Sequence, residues 1–216
     1  MTNWSEYATS FTYDEKNIIE WIIKLHNNNK PFDLDPTFSI GKFWQGFTEP
    51  RLKFDLAPQR SDVICADSRA LPLESNSVGS IMFDPPFLVG GGIPGIMKKR
   101  FSRYKDIPEL WQFYKDSLNE FWRLLKPNGI LSFKCQDVVS SQTNHMTHAF
   151  VINEGQRIGY YVKDLYVLGR HNVMWSPNMA NQEHARKNHC YYLVLQKTKM
   201  NAQKNRAILT SLDKIK

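Results

Sequence analysis

Cysteine is scarce in this chain. Three residues among 216, Cys65, Cys135 and Cys190, are scattered and odd in number. They build no disulfide framework, and without a CxxC pair they suggest no zinc knuckle. Cys65 and Cys135 sit in strand-like runs and read as buried thiols. Long apolar runs are also lacking: none approaches the ~20 residues that span a bilayer. The start, Met1-Thr2-Asn3-Trp4-Ser5-Glu6, has no basic stretch followed by an apolar one, so no secretory signal is expected and a cytosolic location is. Glycine is sparse where a dinucleotide fingerprint would need it, with only Gly41 and Gly46 after the first predicted strand. His145 and His148 are three apart on a predicted helix but have no third ligand at suitable spacing, so no metal site is expected. Aromatic residues are plentiful. Six Trp and thirteen Phe argue against a disordered chain, and 216 residues suit one domain with small additions.

Charge is one-sided, with a net +7, which suits a polyanionic partner. The excess is clustered in Lys98-Lys99-Arg100-Phe101-Ser102-Arg103-Tyr104-Lys105, in His184-Ala185-Arg186-Lys187-Asn188-His189, and in the tail from Lys197 to Lys216. The first two clusters fall in predicted loops beside the predicted site. Lys98, Lys99, Arg100, Arg103, Arg186 and Lys187 are therefore candidates for phosphate contacts that weaken as salt rises. The plain alternative is a solvated basic face.

Apolar positions at helical spacing, with acids in the first turn, predict a helix over residues 14–29, stopped by Asn27-Asn28-Asn29. The clearest helix is 108–126, closed by Pro127-Asn128-Gly129, and another is expected over 143–158. Strands are expected at 31–38, 52–56, 62–66, 78–83, 129–135, 160–168 and 189–196, with a long loop over 88–106. Strands alternating with helices early, then two late strands, suggest an open α/β sheet whose last strand enters antiparallel. Ligands in such sheets bind beyond the strand carboxyl ends. Successive predicted strands end there in acids: Asp33 and Asp35, then Asp55, Asp67 and Asp84. Acids are poor strand residues. Capping and solubility explain any one of them, but the series fits a nucleoside cofactor, with carboxylates for ribose hydroxyls, an adenine amine and an amino-acid ammonium.

The segments Asp35-Pro36-Thr37-Phe38-Ser39-Ile40-Gly41-Lys42-Phe43-Trp44, Asp55, Ala66-Asp67-Ser68-Arg69-Ala70-Leu71-Pro72 and Phe83-Asp84-Pro85-Pro86-Phe87 resemble S-adenosylmethionine-dependent DNA amino-methyltransferases of the N6-adenine/N4-cytosine group. Lys134-Cys135-Gln136-Asp137 and the segment 185–193 are similar to small phage and bacterial members. The resemblance covers about residues 31–197 and is most specific at the Asp84-Pro85-Pro86-Phe87 tetrad. It implies a Rossmann-like class I methyltransferase fold with a mostly parallel seven-stranded sheet and an antiparallel last strand. Residues 1–30 would be a helical extension, 31–197 the methyltransferase domain and 198–216 a basic tail. Asp35, Thr37 and Gly41 would border the methionine part of the cofactor. Asp55 would take the ribose hydroxyls, with Leu56 against the adenine, and Asp67 the adenine amine, with Ser68 and Leu71 beside it. Asp84 and the Pro85 carbonyl would hold the target amine, Pro86 would stiffen the turn, and Phe87 would stack on an extruded base. Ser39 stands where the group usually has glycine.

The resemblance favours DNA, adenine N6 and a bacterial or phage-infected cytoplasm. An RNA amino-methyltransferase remains open, as does a catalytically silent protein that uses the fold to bind nucleic acid or a host partner. The glycine-poor loop is the best support for that last reading. Oligomeric state is not legible.

Overall fold

The computed structural model describes residues 7–89, 104–171 and 183–198. In chain order these form β1 (Phe11–Thr12), α1 (Glu15–His26), β2 (Leu34–Asp35), a 3-10 turn (Lys42–Trp44), β3 (Leu52–Asp55), β4 (Ile64–Cys65) and β5 (Val78–Phe83). Then come α2 (Ile107–Leu124), β6 (Leu125–Cys135), β7 (Val138–Ser140), β8 (Thr143–His145), α3 (Thr147–Ile158), β9 (Tyr160–Gly169) and β10 (His189–Lys197). Eight strands share one sheet in the order β1-β9-β10-β6-β5-β2-β3-β4. β10 runs antiparallel to both neighbours and every other pairing in this sheet is parallel. The expected sheet with its antiparallel last strand is present, with an eighth strand added: β1 along β9.

Both faces of the central strands are dry, as a parallel sheet requires. Phe83, Leu131, Phe133 and Leu193 pack with Leu110, Tyr114, Leu118 and Phe121 of α2 and Val151 of α3. Met82, Ile130, Tyr192 and Val194 pack on the other side with Ile18 and Ile22 of α1 and with Phe38 and Trp44. Full burial of each such side chain contributes about 1.5–3 kcal/mol. Capping sets the helix limits. The Asp14 carboxylate accepts from Lys16 N at the start of α1, and Asn28 and Asn29, at φ 53° and 56°, turn the chain out of it. Asp106 accepts from Glu109 N at the start of α2. α1 supplies part of one layer of the core and β1 extends the sheet, so residues 11–26 pack with the strands that follow.

Three expectations change. The early strands do not alternate with helices. Between β2 and β5 the connections hold only the 3-10 turn, and prolines at 36, 50, 58 and 72 oppose helix there. Phe38, Trp44 and Val63 fill the space a helix would cover. The helix expected from residue 143 starts instead at Thr147, behind a hairpin of β7 and β8. Its turn places Ser141 and Gln142 at φ 51° and 60°, a geometry usually announced by Asn-Gly. β6 also begins earlier than expected, since Leu125 already pairs with Val78 before a bulge at the Pro127-Asn128-Gly129 corner.

The helix-free connection before β5 is tied to α2 by one cluster. Glu120 accepts from Leu71 N at 2.8 Å and from Arg123 at 2.6 and 2.8 Å. Arg123 donates in turn to the Leu73 and Leu71 carbonyls at 2.7 and 3.2 Å. Arg123→Ala strands the buried Glu120 carboxylate and is expected to cost about 2–3 kcal/mol in urea denaturation, below the full range for a buried pair because Arg123 is partly exposed. Removing Arg157, which is itself mostly exposed where it pairs with Glu154, is expected to cost less than about 1 kcal/mol.

Candidate active site

Chain order reverses between β2, which leads on to β3, and β5, which leads on to β6. In open α/β sheets such a reversal opens a crevice beyond the strand carboxyl ends. Asp35 ends β2 and Asp84 follows β5, so the two predicted motifs meet at that point. A threonine joins them. Thr37 Oγ1 donates to Asp35 Oδ1 at 3.2 Å and accepts from Asp84 N at 3.1 Å. Thr37 N donates to the same Asp35 oxygen at 2.8 Å, and Trp44 Nε1 to the other at 2.7 Å. Asp35 is only 4% exposed. Burial pushes its carboxyl up to about 7 against the pull of the Trp44 and Thr37 hydrogen bonds. Asp35 thus pins the loop after β2 and is less open to a ligand than its position implied.

The Asp84 side chain is 31% exposed, and its Oδ2 lies 3.0 Å from Lys134 Nζ. Lys134, on β6, is 7% exposed and pairs at 2.6 Å with Glu15 of α1, which also accepts from the Tyr192 hydroxyl. Desolvation pushes the Asp84 carboxyl above the usual range, and Lys134 opposes it. Lys134 and Glu15 carried no assigned role in the sequence reading; the available signal was a lysine inside the apolar run before Cys135. Pro85 is buried and Phe87 half-buried, while the Pro86 carbonyl accepts from Tyr114 at 3.4 Å. Tyr104 N donates to the Leu88 carbonyl at 3.1 Å, and Val89 bridges to Tyr104. These contacts close the stem of the basic loop beside Phe87. Gly90–Gly92, Lys98, Lys99, Arg100 and Arg103 lie outside the described residues.

On the β3 side, Asp55 Oδ2 accepts from Ser39 N and Oδ1 from Ala57 N, each at 2.8 Å. Each oxygen keeps a further lone pair for a hydroxyl. Ser39 has φ 53°, so a serine holds the left-handed conformation that glycine usually supplies. Gly41, at φ 77°, is packed so closely that a Cβ would lie 2.8 Å from the Phe38 ring and from Arg60. Leu56, next to Asp55, is 61% exposed, an apolar surface open to a flat ring.

The β4 side departs from expectation. Asp67 is held by Arg69 through its Nε at 2.9 Å and Nη2 at 2.6 Å, which keeps its carboxyl below the usual range. A purine amine would have to compete with that guanidinium. Ser68 is buried against Ser117 of α2 at 3.5 Å, and Leu71 is a core residue. Neither side chain stands in the cleft, because the chain dives to α2 right after Asp67. Leu71 instead borders a cavity of about 450 Å³ with Arg51, Leu52 and Ser77, at the opposite, amino-terminal end of the strands. Asp33 is likewise structural, accepting from Gly79 N at 2.6 Å. At the far rim, Gln136 donates to the Lys187 and His189 carbonyls at 2.9 Å, which fixes the backbone beside Arg186 and Lys187. Asp137 is buried and accepts from His148 Nδ1 at 2.7 Å and from Tyr191. Among the described residues no cluster of His, Cys, Asp and Glu could hold a metal ion, and no helix is long and apolar enough to cross a membrane.

Two comparisons test this geometry. The buried Asp35 carboxyl titrates near 7 in the folded chain and near 3.9 unfolded. Between those values the folded state holds the extra proton, so stability falls as pH rises through the window and levels off above it. Across pH 5–7 the parent is expected to lose up to about 1.4 kcal/mol per pH unit relative to Asp35→Asn in urea midpoints. Gly41→Ala and Gly46→Ala both place alanine at positive φ, but the Gly46 Cβ meets only Lys16 Nζ at 3.7 Å. Gly41→Ala is expected to be the worse by about 1–3 kcal/mol in the same assay.

No protein-family model matches the chain and no curated protein is similar to it. Among solved structures, the [4+2]-cyclase SpnF is 11% identical over 85% of this chain and 81% of its own, with a TM-score of 0.52. A candidate DNA modification methylase from Thermus thermophilus, solved with S-adenosyl-L-methionine, is 20% identical over 62% of this chain and 54% of its own, at 0.44. TrmN from the same organism is 18% identical over 84% of this chain and 48% of its own, at 0.49. The chain spans about half the length of the methylase and of TrmN. With its strand order, the chain has a Rossmann-like fold of the class I methyltransferase type.

Proposed function

We propose that this chain transfers a methyl group from S-adenosylmethionine to the exocyclic amine of a nucleobase, with adenine N6 in DNA the favoured target. The observation that carries the reading is the junction at the chain reversal. Thr37 ties the loop after β2 to the backbone of Asp84, so the proposed cofactor and amine sites share one hydrogen-bonded wall. The residues present fit the cofactor in part. Asp55 retains lone pairs for ribose hydroxyls beside the exposed Leu56, whereas Asp67 serves an adenine amine only if the exposed Arg69 gives way. Bound there, the cofactor supplies an electrophilic methyl group on a sulfonium.

An aryl amine is a poor nucleophile because its lone pair is delocalised into the ring. Asp84 Oδ1 and the Pro85 carbonyl are the acceptors that would draw its two protons out of the ring plane and localise that pair. Neither Pro85 nor Pro86 has an N–H to compete for the acceptors. Phe87 offers a face on which a base stacks, worth about 1–3 kcal/mol, against the few kcal/mol needed to flip it from a duplex. The protein supplies position and charge, which is most of what such a transfer asks of it.

A binding-only role is favoured by one observation, the engagement of Asp67 by Arg69. Calorimetry with S-adenosylmethionine separates the two, since no affinity supports the silent binder. The reaction is tested by transfer of labelled methyl from the cofactor to duplex DNA and to transcribed RNA in parallel. Incorporation into adenine of DNA is expected, abolished in Asp84→Ala with cofactor affinity nearly unchanged. Turnover retained in that variant overturns the mechanism, and label in RNA alone overturns the choice of DNA.

A further inference from the structure

Lys134 stands where a sheet would ordinarily carry an apolar side chain. Its neighbours on β6, Phe133 and Cys135, are fully buried. Its register partner on β10 is Tyr192, and Phe133 is the partner of Phe83, which sets Lys134 beside Asp84. An unpaired ammonium at that depth is strongly disfavoured, and Lys134 has three sources of compensation. Glu15 Oε1 lies at 2.6 Å, Asp84 Oδ2 at 3.0 Å, and the rings of Tyr192 and Phe43 are 5.5 and 5.7 Å away. Glu15 is held in turn by the Tyr192 hydroxyl and by its place in the first turn of a helix capped by Asp14.

We propose that Lys134 is a positioning residue for the transfer: locked in place by Glu15 of the amino-terminal helix, it occupies one oxygen of Asp84, keeps that carboxylate charged, and leaves the other oxygen to accept from the target amine. This rests on the methyl-transfer reading above. A charged acceptor makes a hydrogen bond about twice as strong as a neutral one, so the state of Asp84 bears directly on how far the amine is drawn out of conjugation. The device also makes α1 a functional part of the site, since the residue that steadies Lys134 is 119 positions away in sequence.

The charges that act on Asp84 come from several elements. Lys134 on β6 and Arg170 after β9 favour its ionised form, and Glu15 on α1 opposes it. Asp35 on β2 is near enough to be affected by the Asp84 charge. Tyr192 on β10 and Tyr114 on α2 are held protonated by burial, as is the Cys190 thiol, pushed up to about 11. Lys134 and Glu15 therefore act on Asp84 with opposite sign. Losing Lys134 should raise the Asp84 titration; losing the Glu15 charge should lower it and free Lys134 for Asp84 alone.

The full-length chain labelled with carboxyl-13C aspartate reports this directly, with the Asp84 resonance assigned by its loss in Asp84→Asn. Lys134→Met is expected to raise the Asp84 midpoint by about 1–3 pH units, Lys134→Arg to hold it near the parent value, and Glu15→Gln to lower it. In labelled-methyl assays, Lys134→Met is expected to move the acid limb of the pH–rate profile upward by the same interval. The rate falls by up to about tenfold per unit of that shift on the acid side and recovers toward higher pH, with cofactor affinity little changed. An unmoved Asp84 midpoint in folded Lys134→Met overturns the proposal. So does a rate loss that is equal at all pH values, which a merely structural lysine would give. Should Lys134→Met not fold, Glu15→Gln decides: a raised or unchanged midpoint overturns the proposal. The titration needs no substrate. The expected shifts in a chain that methylates neither DNA nor RNA would sink the methyl-transfer reading, and with it any role for Lys134 in transfer, while the charge coupling itself would stand.

Discussion

A carboxylate at the dry end of a strand must find donors, and the donor each one finds determines what remains free for chemistry. Asp35 is held by an indole N–H and a threonine on both oxygens and is nearly sealed. It serves as the peg from which the first loop hangs. Asp55 is held by two backbone amides, which fix it without using all of its acceptor capacity. Asp67 is held by a half-exposed arginine side chain, and Asp84 by a buried lysine on one oxygen only. The four acids look alike in sequence. They differ in the structure because their partners come from four different places: the same loop, a neighbouring loop, the next residue but one, and a strand fifty positions on.

This difference explains which parts of the fold and site were legible in the sequence. β5 matches its apolar run residue for residue, and α2 follows its stripe of buried side chains, because local periodicity and burial agree there. The acids at the strand ends were visible for the same reason, since each stands at an edge that periodicity locates. Lys134 and Glu15 were not, because a pairing between α1 and β6 has no local signature. The β7–β8 hairpin escaped because Ser141 and Gln142 adopt left-handed backbone without the residues that usually signal it. Ser68 and Leu71 were placed in the cleft on motif position alone, and packing against α2 took them elsewhere.

The β2–β4 half of the sheet is thinner than the rest. With no helix in its connections, Ile64 and Leu56 stay more than half exposed, and the loops are braced by charge instead. Arg60 links Glu49 and Asp62 while its guanidinium lies 5.0 Å over the Phe38 ring. Phe38 in turn packs against Gly41, so the brace reaches the loop that Ser39 and Gly41 shape. An exposed ion-pair cluster is a weaker support than a packed helix. The half of the sheet proposed for the cofactor therefore depends more on electrostatics than the half proposed for the amine, which sits on α2 and on the edge-to-face rings of Phe83, Phe121 and Phe133.

The sheet itself does not choose a reaction, since a cyclase has the same fold at a TM-score above one half. What favours amine transfer over other chemistry is the asymmetry at Asp84. A carboxylate buried with both oxygens paired would be structural, as Asp35 is. A carboxylate fully in water would bind an amine too weakly to reshape it. Asp84 is between these: one oxygen fixed by Lys134, its backbone N–H tied to Thr37, and a third of its side chain open. Proline on its carboxyl side denies a substrate any competing donor. That arrangement costs stability, because a lysine and two acids share a largely dry space. A fold under no functional demand would replace the three with apolar side chains at little loss or even some gain.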